Sequence, residues 1–301
     1  MLGSINIDLM ITAKDFPQEG ETILGSKFRV AMGGKGANQA ASLSKLGNKT
    51  FMLAAVGNDE FGERAIHDLE ENYQVDTSFV EKSTESNTGV AMIVQANNNN
   101  KIIVDAAANM DISFENVKMA LGNADEGDII LSQFEIDPKL IDKSFALAKE
   151  KNLITAFNPA PAKEISSEMY KNIDYLILNQ SECEFLSGIY PETETDCRTA
   201  ARKFINEGCQ AVIITLGKSG STYIDREQSL YAPAEKIKVI DTTGAGDSFI
   251  GAFLSGLNRE MPIMESLRFA NFYAGQNCTV RGARDGLLSY ENAWNKFNPY
   301  K

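Results

Sequence analysis

The sequence predicts an α/β fold: a doubly wound, mostly parallel sheet with helices on both faces, plus a small β-sheet lid. Three observations carry this expectation. From about Asp128 onward, short β-rich apolar runs alternate with helical segments, which argues for a parallel sheet covered on both faces. Ile237 to Leu257 passes from a β-branched run through a Gly-rich turn into apolar residues at helical spacing. Thr88–Gln95 and Lys101–Val104 alternate instead, around Asn97–Asn100, and read as a hairpin with a polar tip. The 301 residues, 43% of them hydrophobic, contain no linker or repeat and fit one domain, its lid drawn from roughly residues 9–32 and 86–106.

In chain order, Leu2 to Leu9 reads as a strand with Asn6 and Asp8 on one face, two residues apart. Pro17 and Gly20 mark a turn, and Thr22 to Met32 reads as one or two short strands. Gly33-Gly34-Lys35-Gly36-Ala37-Asn38-Gln39 then opens a helix that ends at Gly47. This is no P-loop, because Lys35 lacks the Walker-spaced glycine and a following Ser or Thr. Two readings stay open for it. It is either a flexible loop with a surface lysine, or backbone lying against a small ligand whose oxygens Lys35 and Asn38 contact. Phe51–Val56 reads as a strand and Glu60–Asn72 as a helix. Further strands are expected at Ile129–Gln133, Ile154–Asn158, Tyr175–Leu178, Ala211–Leu216 and Ile237–Ile240. Ligands of such sheets sit at the carboxyl ends of the strands. There the sequence places Glu135, Asn158, Asn179 with Glu182, Thr215 with Gly217, and Asp241 to Asp247.

At the last of these junctions the N–H groups of Gly244, Ala245 and Gly246 can converge where the helix dipole favours negative charge. Such a nest suits phosphate, or charge developing during phosphoryl transfer. Asp247 follows in the first helical turn. It either stabilises that turn, by about 0.3–1 kcal/mol, or takes a proton from an attacking hydroxyl.

Composition narrows the chemistry. A net charge of −12 and a pI near 4.7 argue against broad nucleic-acid or acidic-membrane binding, so any phosphate site must be built locally. No apolar run approaches the ~18 residues a membrane span needs. The first residues lack the basic start and apolar core of a signal peptide. Cys183, Cys197, Cys209 and Cys278 form no Cys-x-x-Cys pair and read as reduced thiols of a cytoplasmic protein. The single histidine, His67, excludes a His-rich metal site and a Ser-His-Asp triad. No Gly-x-Gly-x-x-Gly follows the first strand, against a dehydrogenase. Carboxylates, lysine and backbone groups remain.

Three stretches together resemble one family. Asp241-Thr-Thr-Gly-Ala-Gly-Asp247 resembles the C-terminal signature of the ribokinase family of carbohydrate kinases, Gly33 to Ala40 its N-terminal signature, and Asn179-Gln-Ser-Glu182 its Asn-x-x-Glu motif. The resemblance spans essentially the whole chain. It implies ATP-dependent phosphorylation of D-ribose at O5, with Asp247 as base and the Gly244, Ala245 and Gly246 amides as anion hole. It implies Asn6, Asp8, Gly33, Gly34, Lys35, Asn38 and Glu135 around the sugar. Asn179 and Glu182 would organise Mg²⁺ and phosphates, largely through water. Thr215, Leu216, Gly217, Lys218, Ser219, Gly220 and Asn271, with Asn179 and Gly246, would line the nucleotide. An activating K⁺ is implied near Asp241 and Thr243, with Asn277, Val280, Gly282 and Gly286 supplying further oxygens. Departures from the pattern are a short first strand, Ala107 where the family has glycine before Ala-Asn, and a partial match over Cys278 to Gly286. Alternatives are a kinase for 2-deoxyribose, another small sugar or a nucleoside, and a catalytically silent sugar-binding protein. Asp8, Lys35 and Asn38 favour a bare polar sugar, and the intact Asp247 with its nest speaks against silence. The alternating lid leaves an apolar face that a lone small sheet would not expose, so a homodimer through the lid is expected.

Overall fold

The computed structural model describes residues 1–97 and 99–297. Asn98, in the expected hairpin tip, lies outside the described residues. The first third contains β1 (Asn6–Thr12), β2 (Ser26–Gly33), α1 (Lys35–Lys45), β3 (Phe51–Gly57), α2 (Glu60–Tyr73), β4 (Asp76–Ser83), β5 (Gly89–Ala96) and β6 (Asn99–Asp105). Next come α3 (Phe114–Gly122), β7 (Ile129–Gln133), α4 (Pro138–Glu150), β8 (Ile154–Asn158), α5 (Ser167–Tyr170), β9 (Tyr175–Asn179), α6 (Gln180–Ser187) and α7 (Glu194–Glu207). The remainder comprises β10 (Ala211–Thr215), β11 (Ser221–Ile224), β12 (Ser229–Ala232), α8 (Ala245–Asn258), α9 (Ile263–Asn277) and α10 (Tyr290–Lys296).

The main sheet runs β12-β11-β10-β9-β8-β7, parallel from β7 to β10 and antiparallel beyond. Met1 to Gly3 joins it to the parallel pair β3-β4. Leu2 N–H donates to the Leu131 carbonyl at 2.9 Å, Gly3 N–H to Leu53 at 3.1 Å, and Leu53 N–H returns to Met1 at 2.7 Å. Alternate residues of each strand point to opposite faces. Leu131 and Ile213 therefore enter the core under α1, α8 and α9, while Ile130, Val212 and Ile214 enter the one under α3, α4 and α7. Helices thus cover both faces, as the sequence predicts. Helix α8 is buried along most of its length and lies directly on α1. Gly251 permits this, because a Cβ there would collide with the Ser42 side chain.

A second, smaller sheet has the order β2-β1-β5-β6, with β1 and β5 parallel. Its register places Asp8, Ala91, Val104 and, two residues on, Ile102 on one face, with Met92 and Ile103 on the other. All of β6 is exposed, Ile103 at 73%.

Three details differ from the sequence reading. The expected strand Leu2–Leu9 divides, its first residues serving the main sheet and Asn6 onward the small one. Strands β4, β11 and β12 were not predicted; β4 carries mostly polar residues, and the other two span only four each. Ile237–Ile240 is not a strand. Its Ile240 N–H, with that of Asp241, donates to the Cys278 carbonyl, and Val239 and Ile240 are more than half exposed. A β-branched run becomes a strand only where a neighbour offers a ladder.

Candidate active site

Two Gly-rich turns lead into α1 and α8, and the contact between those helices brings their first turns together. Gly34, the N-cap of α1, has φ 86, and a Cβ there would lie 2.7 Å from Asn6 N and 2.8 Å from Ser4 O. Only glycine lets α1 start so close to the first strand. The Glu135 carboxylate, just beyond β7, fills this helix end, its Oε2 accepting from Lys35 N–H at 3.0 Å and from Ser4 Oγ at 2.5 Å. Burial pulls the Lys35 ammonium down in pKa. The facing carboxylates of Asp247, Glu135 and Glu182 together outweigh it and hold the pKa above its ordinary value.

Asp247 is buried in the first turn of α8, yet its oxygens are turned toward α1. Asn38 Nδ2 donates to Oδ2 and Gln39 Nε2 to Oδ1, each at 3.0 Å. Each amide is held in turn. Asn38 Oδ1 accepts from Arg284 Nε at 2.7 Å, and Gln39 Oε1 from Gln133 Nε2 at 2.6 Å. Gln39 Nε2 also reaches Asn158 Oδ1 at 3.3 Å. A carboxylate gripped on both oxygens is fixed in direction, which general-base work requires. No side-chain hydrogen bond caps the start of α8. In this conformation the Ala245 N–H donates to the Thr242 carbonyl at 3.1 Å, so of the expected nest this amide is turned into its own turn.

Asn179 and Glu182 form a capping box at the start of α6. Asn179 Oδ1 accepts from Glu182 N–H at 2.8 Å, and Glu182 Oε2 from Asn179 N–H at 2.9 Å. That box accounts for the spacing on structural grounds, and it pre-orients both side chains. Burial raises the Glu182 pKa, against the bond from the Asn179 backbone and the charge of Lys35. Both residues line a cavity of about 210 Å³ with Lys35, Thr215, Gly244 to Asp247 and Asn158. A larger cavity of about 590 Å³ lies at the opposite, amino ends of β8 to β10 and contains none of the expected site residues. Beside Thr215, Gly217 to Ser219 form an exposed single turn closed by Leu216 N–H donating to Gly220 O at 2.7 Å. Asn271 lies on α9, its amide donating to the Ala232 carbonyl at 2.9 Å.

On the other side of α1, burial pushes the Asp8 carboxyl up to about 6, with Arg284 opposing and Glu135 adding to the rise. A Cβ on Gly33 would collide with this carboxylate. Asn6 Oδ1 accepts from Asn109 Nδ2 at 2.7 Å, and Asn109 also bonds both backbone groups of Ile5. Nearby, Ala107 keeps a left-handed φ of 41, a conformation that costs a non-glycine residue about 1–2 kcal/mol.

The loop before α10 meets the turn before α8 at Asp241. Partial burial alone would raise the Asp241 pKa. Bonds from Thr243 Oγ1 at 2.7 Å, Thr243 N–H at 3.0 Å and Gly282 N–H at 3.1 Å hold it below the ordinary carboxylate value. Asn277 donates to the Ala283 carbonyl at 2.9 Å, while its Oδ1 is buried without a partner and faces Gly286. Val280 N–H donates to the Asn277 carbonyl at 3.2 Å. The sequence reading missed Gln39, Gln133, Asn109 and Arg284 as site residues. Gln39 was visible beside Asn38, Gln133 ends an expected strand, and Asn109 and Arg284 lie in stretches that match the family pattern only in part; the partners they meet are distant in sequence.

The chain matches the pfkB family of carbohydrate kinases over residues 1–289. It is 32% identical over 302 residues to a deoxyribokinase of Salmonella typhi, covering 100% of this chain and 97% of that one. It is 35% identical over 290 residues to a ribokinase of Staphylococcus aureus (strain COL), covering 95% of each. The structure of Arabidopsis thaliana ribokinase complexed with ribose and ATP matches at a TM-score of 0.91 and 29% identity, over 99% of this chain and 98% of that one. The fold and the comparisons define an ATP-dependent sugar kinase. The chain belongs to the pfkB family of carbohydrate kinases, among relatives that include ribokinases and deoxyribokinases.

Proposed function

We propose that the chain transfers the γ-phosphoryl group of ATP to the 5-hydroxyl of D-ribose, giving ribose 5-phosphate and ADP. The observation that carries this is Asp247, fixed by Asn38 and Gln39 at a cavity shared with Lys35, Glu182 and the open end of α8. Asp247 takes the hydroxyl proton as O5 attacks the γ-phosphorus and the bond to the β–γ bridging oxygen breaks. The amides of Gly244, Ala245 and Gly246 receive the charge of the transferring group, once the Ala245 N–H leaves the Thr242 carbonyl. Asp8, Lys35, Asn38 and Glu135 hold the sugar hydroxyls, with Asn6, Gly33 and Gly34 shaping that side. Asn179, Thr215 to Gly220 and Asn271 border the nucleotide.

Mg²⁺ accompanies ATP and neutralises its phosphates. Among the described residues no group of three His, Cys, Asp or Glu is placed to hold a metal ion, which suits an ion held by phosphate and water with Asn179 and Glu182 behind. The oxygens near Asp241 also suit a monovalent cation. The buried, unpartnered Asn277 Oδ1 and the carbonyls of Thr243, Val280, Gly282 and Gly286 would hold K⁺, which supplies charge balance beside the anion hole. A cytoplasmic location fits four unpaired, buried cysteines.

The small sheet acts as the lid of a single 1–301 domain and pairs two subunits. Ile102 and Val104 on the Asp8 face and Met92 and Ile103 on the other are all more than half exposed. Sedimentation at micromolar concentration should find a dimer; a monomer removes this part.

A second reading, 2-deoxyribose as acceptor, is favoured by the match to deoxyribokinase over the whole chain. A coupled ADP-release assay over pentoses and nucleosides separates the two. Donors and acceptors built for a hydroxyl are left unpaired by an analogue lacking it, so ribose should exceed 2-deoxyribose by at least about tenfold in kcat/KM. Equal or reversed values transfer the assignment to 2-deoxyribose. No sugar-stimulated ADP release overturns both.

A further inference from the structure

We propose that Arg284 is a positioning residue for phosphoryl transfer, a clamp that fixes the Asn38 amide so that its nitrogen faces Asp247 and the sugar. This rests on the reading of the site as a sugar-kinase centre. Arg284 is only 6% exposed and spends its guanidinium on separate elements. Nε donates to Asn38 Oδ1 on α1 at 2.7 Å, Nη2 to the Gly33 carbonyl at the end of β2 at 3.0 Å, and Nη1 to Asp68 Oδ2 on α2 at 2.9 Å.

The geometry carries the inference through the two ends of an amide. An asparagine presents an acceptor and a donor group from the same carbon. With Asn38 Oδ1 claimed by Arg284, Nδ2 is what meets Asp247 Oδ2 at 3.0 Å. Without that claim, only the bond to Asp247 opposes a half-turn of the amide, which would set Oδ1 against the carboxylate, oxygen to oxygen. The base would then turn away, and the sugar would meet an acceptor where it now meets a donor. The second contact reinforces the first, because the Gly33 carbonyl belongs to the turn that starts α1. Only a planar, rigid fork reaches both at once; a lysine ammonium supplies the charge without the geometry.

The neighbouring residue widens the consequence. Ala283 packs on Gly244, whose Cβ, if present, would collide with the Ala283 carbonyl. Two consecutive residues of one loop therefore touch the two turns that lead into α1 and α8. The guanidinium also faces Asp8, Asp68 and Asp247, whose charges favour its staying in place.

The test uses the full-length enzyme with ribose as the probe. Wild type must first show sugar-dependent ADP release; if it does not, the kinase reading fails and the role of Arg284 falls with it. Given an active wild type, Arg284→Gln and Arg284→Lys should each lower kcat/KM for ribose by about 10–100-fold, with the KM for ATP within about threefold. Asn38→Ala combined with Arg284→Gln should lie no more than about threefold below Asn38→Ala alone, since one residue acts through the other. Where turnover is too slow, the same cycle is read from ribose affinity by calorimetry. Losses that multiply, or an Arg284→Lys enzyme within twofold of wild type, overturn the proposal. If Arg284→Gln fails to fold, Asp68→Asn loosens only the anchor on α2. It should lower kcat/KM for ribose by about threefold or more, and an unchanged value there, together with an active Arg284→Lys, also overturns the proposal.

Discussion

The turns before α1 and α8 look alike in sequence, each glycine-rich and each opening a buried helix, yet the structure fills them differently. The amide end of α1 is occupied from within the protein by Glu135, 100 residues away. The end of α8 carries no side-chain cap, and its acidic first-turn residue points across to α1. A helix N-terminus is a ready anion site only while no internal carboxylate holds it. Under the proposed function, that contrast would give the first turn the sugar side and the second the phosphate.

The largest effect should come from the residue that joins the two. Asp247→Asn keeps the shape but loses the base, and kcat should fall by about 10²–10⁴-fold. Melting temperature and ATP affinity should stay near wild type. A loss under tenfold in a normally folded protein would return Asp247 to the role of stabilising its own helical turn.

A glycine in each turn sharpens the contrast. Gly246 has open space around its Cβ position, so Gly246→Ala should melt like wild type and, under the proposed function, still lose at least tenfold in kcat, because the methyl group would stand at the proposed phosphate site. Gly34→Ala meets backbone at 2.7 Å in a left-handed conformation and should destabilise by about 2–3 kcal/mol or more, seen as a lowered denaturation midpoint. Equal stability of the two variants would erase the distinction.

A smaller effect is expected at Asp8, where the proposed sugar contact and stability oppose each other. Its folded pKa, about 6, lies above the ordinary 3.8, so the native state binds the proton more readily than the unfolded chain. Stability from this group is gained as pH falls from about 6 toward 3.8, and above 6 the buried charge costs stability. Asp8→Asn should therefore raise the melting temperature at pH 8, with the gain fading below about pH 4. The wild-type kcat/KM for sugar should decline as pH drops through about 6, as the charged acceptor is lost. No change in melting at pH 8 would show that the charge is solvated after all.

Local grammar made the architecture and the two turns legible: the strand–helix alternation, the glycines, and Asp247 three residues past the N-cap. It misjudged Ile237–Ile240, because a ladder partner is a property of the sheet and not of the run. It also left open whether Asp247 serves its own helix; the amides of Asn38 and Gln39 that hold its carboxylate lie some 200 residues earlier. Arg284 stands 246 residues from the amide it holds, in a loop whose only local signals are its glycines. Pairings of that length are written in packing, and no spacing rule reaches them.

Phosphorus NMR of the product tests the central claim most directly, that the two turns bring a sugar hydroxyl and the γ-phosphoryl group of ATP together beside Asp247. With ribose labelled with ¹³C at C5, the account predicts one ADP per product and a phosphorus coupled to C5. Phosphorus on C1, or ADP formed at the same rate without sugar, would contradict it.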